Sequence, residues 1–290
     1  MTALRVLPGV AALAEEYDGF LLDLWGVVHD GERPYAGAIE TLEHLRALGR
    51  PTVLLSNAPR LGASVVRTME GMGIARALYT NVLTSGDAVQ AALLERRDPA
   101  FAALGDACVF IGPERDHDIL TGTGVTRRDD PAEASFVVCT GPVALDETED
   151  AYRAVLEACA ARGLPMVCAN PDLAVMRAGR RVMCAGALAR VYEGLGQSVI
   201  YRGKPDPAVF WAARDRLGGA ARVAMVGDGL HTDLPGAAAA GIDAVFVAGG
   251  LNADALGVQH GALAPVEKIT ALLAGVRPGP VAVIPAFVWG

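Results

Sequence analysis

Short apolar runs ending in polar or glycine-rich turns recur along the chain: FLLD at 20–23, TVLLSN at 52–57 and VAMVGD at 223–228. Runs of this length, fed by helical segments, predict strands buried on both faces of a parallel sheet. Helical periodicity fills the intervals. IETLEHLRALG (39–49) sets Ile39, Leu42, Leu45 and Leu48 on one stripe and stops at Gly49, and ASVVRTMEGMG (63–73) repeats this with Val66, Met69 and Met72. Strand alternating with helix predicts an α/β fold with a doubly wound sheet. Ligands of such sheets sit beyond the carboxyl ends of the strands, where Asp23, Ser56–Asn57 and Gly227–Asp228 all fall.

Between Ser56 and Asp228 lies too much chain for one crossover. That interval has strand-like runs of its own, CVFIG (108–112), SFVVCTG (135–141) and PMVCAN (165–170), and helical stretches near 86–97, 147–162 and 185–196. The expected organisation is a core begun by residues 1–83, an inserted α/β domain over 84–198, and a return to the core over 199–290. The last stretch holds VAMVGD, a helix DLPGAAAAG (233–241), a strand AVFVA (244–248) and a helix near 265–275. The apolar tail VAVIPAFVWG is expected to pack on the core or at a subunit contact.

Composition narrows the function. A chain of 290 residues, 52% of them hydrophobic, supports a large core, and about 100–200 residues per domain makes two domains the default. The net charge of −8 argues against a nucleic-acid partner, which requires a concentrated basic face. An anionic substrate remains open, because one lysine and a bound cation reverse the sign locally. Cys108, Cys139, Cys159, Cys168 and Cys184 include no CxxC pair and sit mostly among apolar neighbours, so buried reduced thiols and a cytoplasmic setting are expected. The opening MTALRVLPGVAALAEEYD has a proline and acids where a signal peptide keeps an apolar core, and no stretch reaches the ~18–20 apolar residues of a membrane span.

Four pieces carry candidate chemistry: Asp23 at a strand end, Ser56 with Asn57 at another, Lys204 in RGKPDP (202–207), and GDGLHTD with Asp228 and Asp233. Two carboxylates can share Mg²⁺ with waters and a substrate oxygen. A hydroxyl, an amide and an ammonium can hold phosphoryl oxygens. A carboxylate oxygen of Asp23 would then attack phosphorus. Taken singly, each piece reads as a cap, a turn or a surface charge. Their order and shared strand-end setting lift the set above that reading. Pro205–Pro207 reads as a helix start.

DLWGVV, LLSNAPR, RGKPDP and GDGLHTDLPGAAAAG resemble, in order, the four motifs of the haloacid dehalogenase-like (HAD) superfamily. The position and α/β content of the insert, with CANPD (168–172), resemble the class-IIA branch and its type-two cap. The resemblance covers nearly the whole chain. It implies a Rossmann-like core with a cap, Mg²⁺ dependence, hydrolysis of a small phosphorylated metabolite, and pairing of two copies through their caps. Position by position it implies Asp23 as nucleophile and metal ligand, with Ser56, Asn57 and Lys204 holding phosphate. Asp228 and the Trp25 backbone carbonyl become metal ligands, and Asp233 a support for the lysine or the metal's waters.

One position departs from the pattern. The family's phosphatases usually carry a second aspartate, which shuttles the proton, where this chain has Trp25. The carbonyl survives that substitution. The proton shuttle does not, since an indole N–H neither gives nor takes a proton near neutral pH, and such help is worth about 10²–10⁴-fold. His29 and Asp30 in WGVVHDG are the nearest replacements in sequence. Trp25 also admits a wall for a flat substrate, a catalytically weak protein that binds a phosphorylated ligand, or, third, dehalogenation. The cap is expected to set specificity through Asn170 and Asp172, with Arg60 after the second motif.

Overall fold

The computed structural model describes residues 4–177 and 180–290. Residues 1–3 of the expected first core stretch and 178–179 of the insert lie outside them. Strands β1 (Gly19–Leu22), β2 (Thr52–Ser56) and β3 (Asn81–Thr84) come first. Then follow β4 (Ala107–Ile111), β5 (Thr126–Arg128), β6 (Phe136–Cys139), β7 (Met166–Cys168), a pair β8 (Ala174–Arg177) and β9 (Arg180–Met183), and β10 (Val199–Tyr201). The chain closes with β11 (Val223–Gly227), β12 (Asp243–Val247) and β13 (Ala282–Ile284).

The core is a six-stranded parallel sheet in the order β13-β12-β11-β1-β2-β3. All four residues of β1 are buried, as expected of a central strand covered on both faces. Phe20 and Leu22 face one layer with Leu42, Leu45, Val65 and Met69. Leu21 faces the other, with Val209, Phe210, Leu234 and Ile269. Within helix Gly62–Gly71 the core takes Val65 as well, with the predicted Val66 half-buried against it, and Leu48, past the end of helix Ala38–Ala47, is exposed. The apolar tail supplies β13, which pairs with β12, and Val283 and Phe287 are buried.

The insert builds a second parallel sheet, β10-β7-β6-β4-β5. Helices Arg153–Ala161 and Ala185–Gly194 cover one face through Leu156, Leu188 and Tyr192. Helix Ser85–Glu95, with Phe101 and Ile119, covers the other. The sequence boundary at 198/199 sets β10 in the returning core, whereas β10 pairs with β7 in the inserted sheet. Three residues of apolar strand carry no mark of which sheet they join. The β8–β9 hairpin stands apart as an antiparallel pair. All five cysteines are buried and unbridged. Among the described residues no helix is long and apolar enough to cross a membrane.

Candidate active site

Neighbouring strands deliver the predicted residues to one point. Leu22 of β1 is level with Val226 of β11 on one side and Leu54 of β2 on the other. Asp23, Asp228 and Ser56 therefore emerge side by side just past those positions. The crevice is formed at the carboxyl edge of the sheet, as the topology predicts.

At its centre is Lys204, 2% exposed. Its ammonium lies 2.6 Å from Asp23 Oδ1 and 2.7 Å from Asp233 Oδ1. Burial opposes the lysine charge, but Asp23, Asp233 and Asp172 outweigh it and push its pKa up. Asp23 Oδ1 also accepts from the Leu24 amide at 2.7 Å. Asp233, first residue of helix Asp233–Ala239, accepts from the Gly229 amide at 2.9 Å. Oxygens of Asp23, Asp228 and Asp233 lie within 4.8 Å of one another. Burial, then repulsion from Asp233, pushes Asp23 well above the usual carboxylate range and Asp228 up to about 7. Buried like charges of this kind are relieved by a cation, and an all-oxygen donor set suits a hard divalent one.

Asn57 differs from its expected place. Its Oδ1 accepts from the Lys204 amide at 2.7 Å, and its Nδ2 donates to Lys204 O at 3.1 Å and Asp172 Oδ1 at 2.9 Å. The carboxamide is thus engaged in fixing the lysine backbone and joining the cap, rather than turned to a phosphate. Ser56 Oγ accepts from the Ala58 amide at 3.2 Å, which leaves its proton available to a ligand.

The two replacements expected near Trp25 are placed differently: Asp30 is away from both cavities, and His29 lines only the larger one. Asp30 Oδ1 accepts from the amides of Glu32 and Arg33 at 2.8 and 2.7 Å. Burial raises its pKa, but those bonds outweigh it and lower it overall. Asp30 is a turn former and lines neither cavity described below. His29 is buried, its Nδ1 accepts from the Gly31 amide at 3.0 Å, and burial lowers its pKa to about 4. The Trp25 indole packs edge to face on His29, ring centres 5.2 Å apart, and presses on the Gly31 backbone.

Two cavities meet at this indole. A chamber of about 40 Å³ is lined by Asp23, Ser56, Asp172, Asp228 and the hairpin residues Val175 and Met176. A larger one, about 160 Å³, is lined by Met69, Met72, Arg60, Asn170, Arg177 and His29. Trp25, Asn57, Asp172 and Val175 border both. An open groove of about 670 Å³ among Glu147, Arg181 and Arg190 contains none of the predicted residues. Arg60 reaches Asp116 of the cap at 3.4 Å, and the Asn170 Oδ1 accepts from the Asp172 amide at 3.0 Å.

The sequence reading missed the loop that holds Asp228. The Leu251 amide donates to its Oδ2 at 2.6 Å and Asn252 Nδ2 to its carbonyl at 2.7 Å. A Cβ on Gly250 would lie 2.2 Å from Asp228 Oδ2, and one on Gly26, whose φ is +78°, would lie 2.0 Å from it. The glycine pair in VAGGLN, directly after a strand, was the available signal.

Comparison with known proteins agrees with this geometry. Residues 20–126 match a family model described as haloacid dehalogenase-like hydrolase, and 201–271 match a second, HAD-hydrolase-like model. A haloacid dehalogenase-like hydrolase from Brucella suis 1330 is 35% identical, with a TM-score of 0.82 over 98% of this chain and 100% of that one. The chain belongs to the haloacid dehalogenase-like family. A D-glycerol 3-phosphate phosphatase from Mycobacterium tuberculosis is 29% identical over 83% of this chain. The alignment spans only 65% of that relative's length. A glycerol phosphate phosphatase from the same organism, in complex with calcium, shares the fold at 23% identity, with a TM-score of 0.65 over 89% of this chain and 76% of that one. Its magnesium complex matches with the same score. Class-IIA members are among the structural neighbours.

Proposed function

We propose that this chain hydrolyses the phosphate monoester of a small metabolite, with Asp23 as nucleophile and Mg²⁺ as cofactor. The observation that carries the reading is the buried Lys204 ammonium bridging Asp23 and Asp233 beside Asp228, at the ends of adjacent parallel strands. Asp23, Asp228 and the Trp25 carbonyl would hold the cation, with Asp233 behind them. The buried, mutually repelling carboxylates support that fit. Bound there, Mg²⁺ supplies charge neutralisation for the phosphoryl oxygens.

This chain's own residues do the remainder. Lys204 and the Leu24 amide hold Asp23 Oδ1, and no hydrogen bond engages Oδ2 among the described residues, so Oδ2 is the attacking oxygen. Ser56 Oγ–H donates to a phosphoryl oxygen, and Lys204 offsets charge as the phosphorus becomes five-coordinate. The leaving group extends into the larger cavity, against Trp25, Met69 and Met72, with Arg60 and Asn170 at its wall. There the indole excludes water and favours a flat or apolar group.

The test is nitrophenolate release from 4-nitrophenyl phosphate with and without Mg²⁺. Its leaving group needs no proton, so the step that releases nitrophenolate does not depend on an acid at position 25. The wild type is expected to release nitrophenolate with Mg²⁺ at least about 10³-fold faster than Asp23→Asn. Equal rates in the two would sink the reading. They would favour the second one, a binder of phosphorylated ligands, for which Trp25 is the motivating observation.

A further inference from the structure

Breaking an alkyl phosphate requires a proton for the departing oxygen and, later, a base for the attacking water. Position 25 offers neither. Three carboxylates line the small chamber: Asp23, Asp228 and Asp172. The first two are engaged in attack and cation holding in the function proposed above. Asp172 belongs to the cap, in the turn between β7 and β8. Its Oδ1 is tethered by Asn57 Nδ2 at 2.9 Å, the amide that also fixes Lys204. Asp172 borders both cavities. The bridging oxygen of an ester with its phosphoryl group in the chamber and its leaving group in the larger cavity would lie at that border.

We infer that Asp172 is the general acid and base of this site, delivered by the cap in place of the side chain that Trp25 displaces. The inference rests on the proposed hydrolysis. Burial raises the Asp172 pKa, and Lys204 and Asn57 only partly oppose that, so it keeps a proton more readily than an ordinary aspartate. Asp30 caps a turn, and His29, its Nδ1 occupied, lines only the larger cavity, whereas Asp172 borders the phosphoryl chamber as well.

The step balances without another reactant. Asp23 Oδ2 bonds to phosphorus as the ester P–O bond breaks, and the departing oxygen takes the Asp172 proton and leaves as the alcohol. Water then attacks the aspartyl phosphate and gives a proton to the Asp172 carboxylate. The P–O bond to Asp23 breaks, inorganic phosphate departs, and both aspartates return to their starting states.

The experiment compares Asp172→Asn with wild type on glycerol 3-phosphate, a poor leaving group, and on the nitrophenolate burst from 4-nitrophenyl phosphate. The expected loss on the alkyl ester is on the order of 10²-fold or more. It exceeds any loss in the burst by at least about tenfold. Trp25→Asp added to Asp172→Asn is expected to recover alkyl turnover, because it returns a carboxylate to the displaced position. A residue that merely closes the cap predicts equal losses on both esters and no recovery from position 25. Either of those results, or an undiminished alkyl rate, overturns the inference while leaving the phosphatase reading intact if the burst persists. A wild type with no burst above Asp23→Asn removes both. The burst also reports that the variant is folded, and Asp172→Glu, which keeps the acid, should retain the leaving-group pattern of the wild type.

Discussion

Trp25, His29 and Gly31 form one packed unit beside the carboxylates, and each fixes the next. The indole leans on the imidazole, and the imidazole accepts the Gly31 amide under the indole. His29 is thereby held neutral, its pKa lowered by burial from the ordinary 6.5 to about 4. A group with a depressed folded pKa that must charge on acidification contributes stability above its unfolded pKa and loses it as pH falls through the folded one. The window is pH 6.5 down to 4, and the full effect is about 3 kcal/mol at most. His29→Asn keeps an acceptor for Gly31 and cannot titrate. Its melting temperature should fall less than that of wild type across the window, as thermal scans at several pH values would reveal. Lys204→Met is the opposite case. It strands Asp23 and Asp233 without their cation, and breaking such a buried pair costs about 3–5 kcal/mol. Urea unfolding in chelator should register that loss, and Mg²⁺ should restore part of it.

Elements whose role is announced by pattern were legible in the sequence. β1, β2 and β11 are unbroken apolar runs stopped by Asp, Ser-Asn and Gly-Asp, so both the strands and the chemistry at their ends could be read. β10 could not be assigned its sheet, because its side chains are only partly buried and pairing is a tertiary choice. The β8–β9 pair escaped because AVMR and RRVM carry no clean alternation of apolar and polar residues. Roles that depend on hydrogen-bond partners were hidden as well. Nothing in SNAPR tells that Asn57 holds a backbone 147 residues away. The loop from Gly249 to Asn252 deserves a direct test. In Gly250→Ala the new Cβ meets Asp228 Oδ2 at 2.2 Å and Asp228 Cβ at 2.7 Å, so the carboxylate must shift. We expect about 1–3 kcal/mol of destabilisation and at least a tenfold weaker Mg²⁺ response, read as the metal dependence of the melting temperature.

Among the described residues, the polar contacts between core and cap include Asn57 to Asp172, Arg60 to Asp116, Ser64 to Asp118 at 3.1 Å, Arg177 to Glu32 at 3.8 Å and, at the start of helix Ser85–Glu95, the Gly62 amide to Asp87 at 2.9 Å and the Gly86 amide to the Ala58 carbonyl at 3.2 Å. Each hydrophobic cluster otherwise belongs almost wholly to one sheet, so the two bodies can separate without exposing a core. Arg60→Ala should cost about 1–3 kcal/mol of global stability, since it leaves the buried Asp116 with Arg115 alone at 3.8 Å. Amide exchange should quicken over Glu114–Leu120 while the core sheet keeps its protection. Equal protection there in variant and wild type would argue that Arg60 does not fasten the cap.

Asp172 rides on one body and Asp23 on the other, linked through the Asn57 carboxamide and Lys204. If the two aspartates act together as inferred, the molecule is a two-key lock. Substrates that need a proton react only while the cap holds Asp172 over the chamber, whereas activated aryl esters, needing only the lower key, can transfer their phosphoryl group to Asp23 and release the aryloxide whenever it is reached. Turnover of natural esters would then be paced by the approach of the cap, and should slow in viscous solvent when the nitrophenolate burst does not.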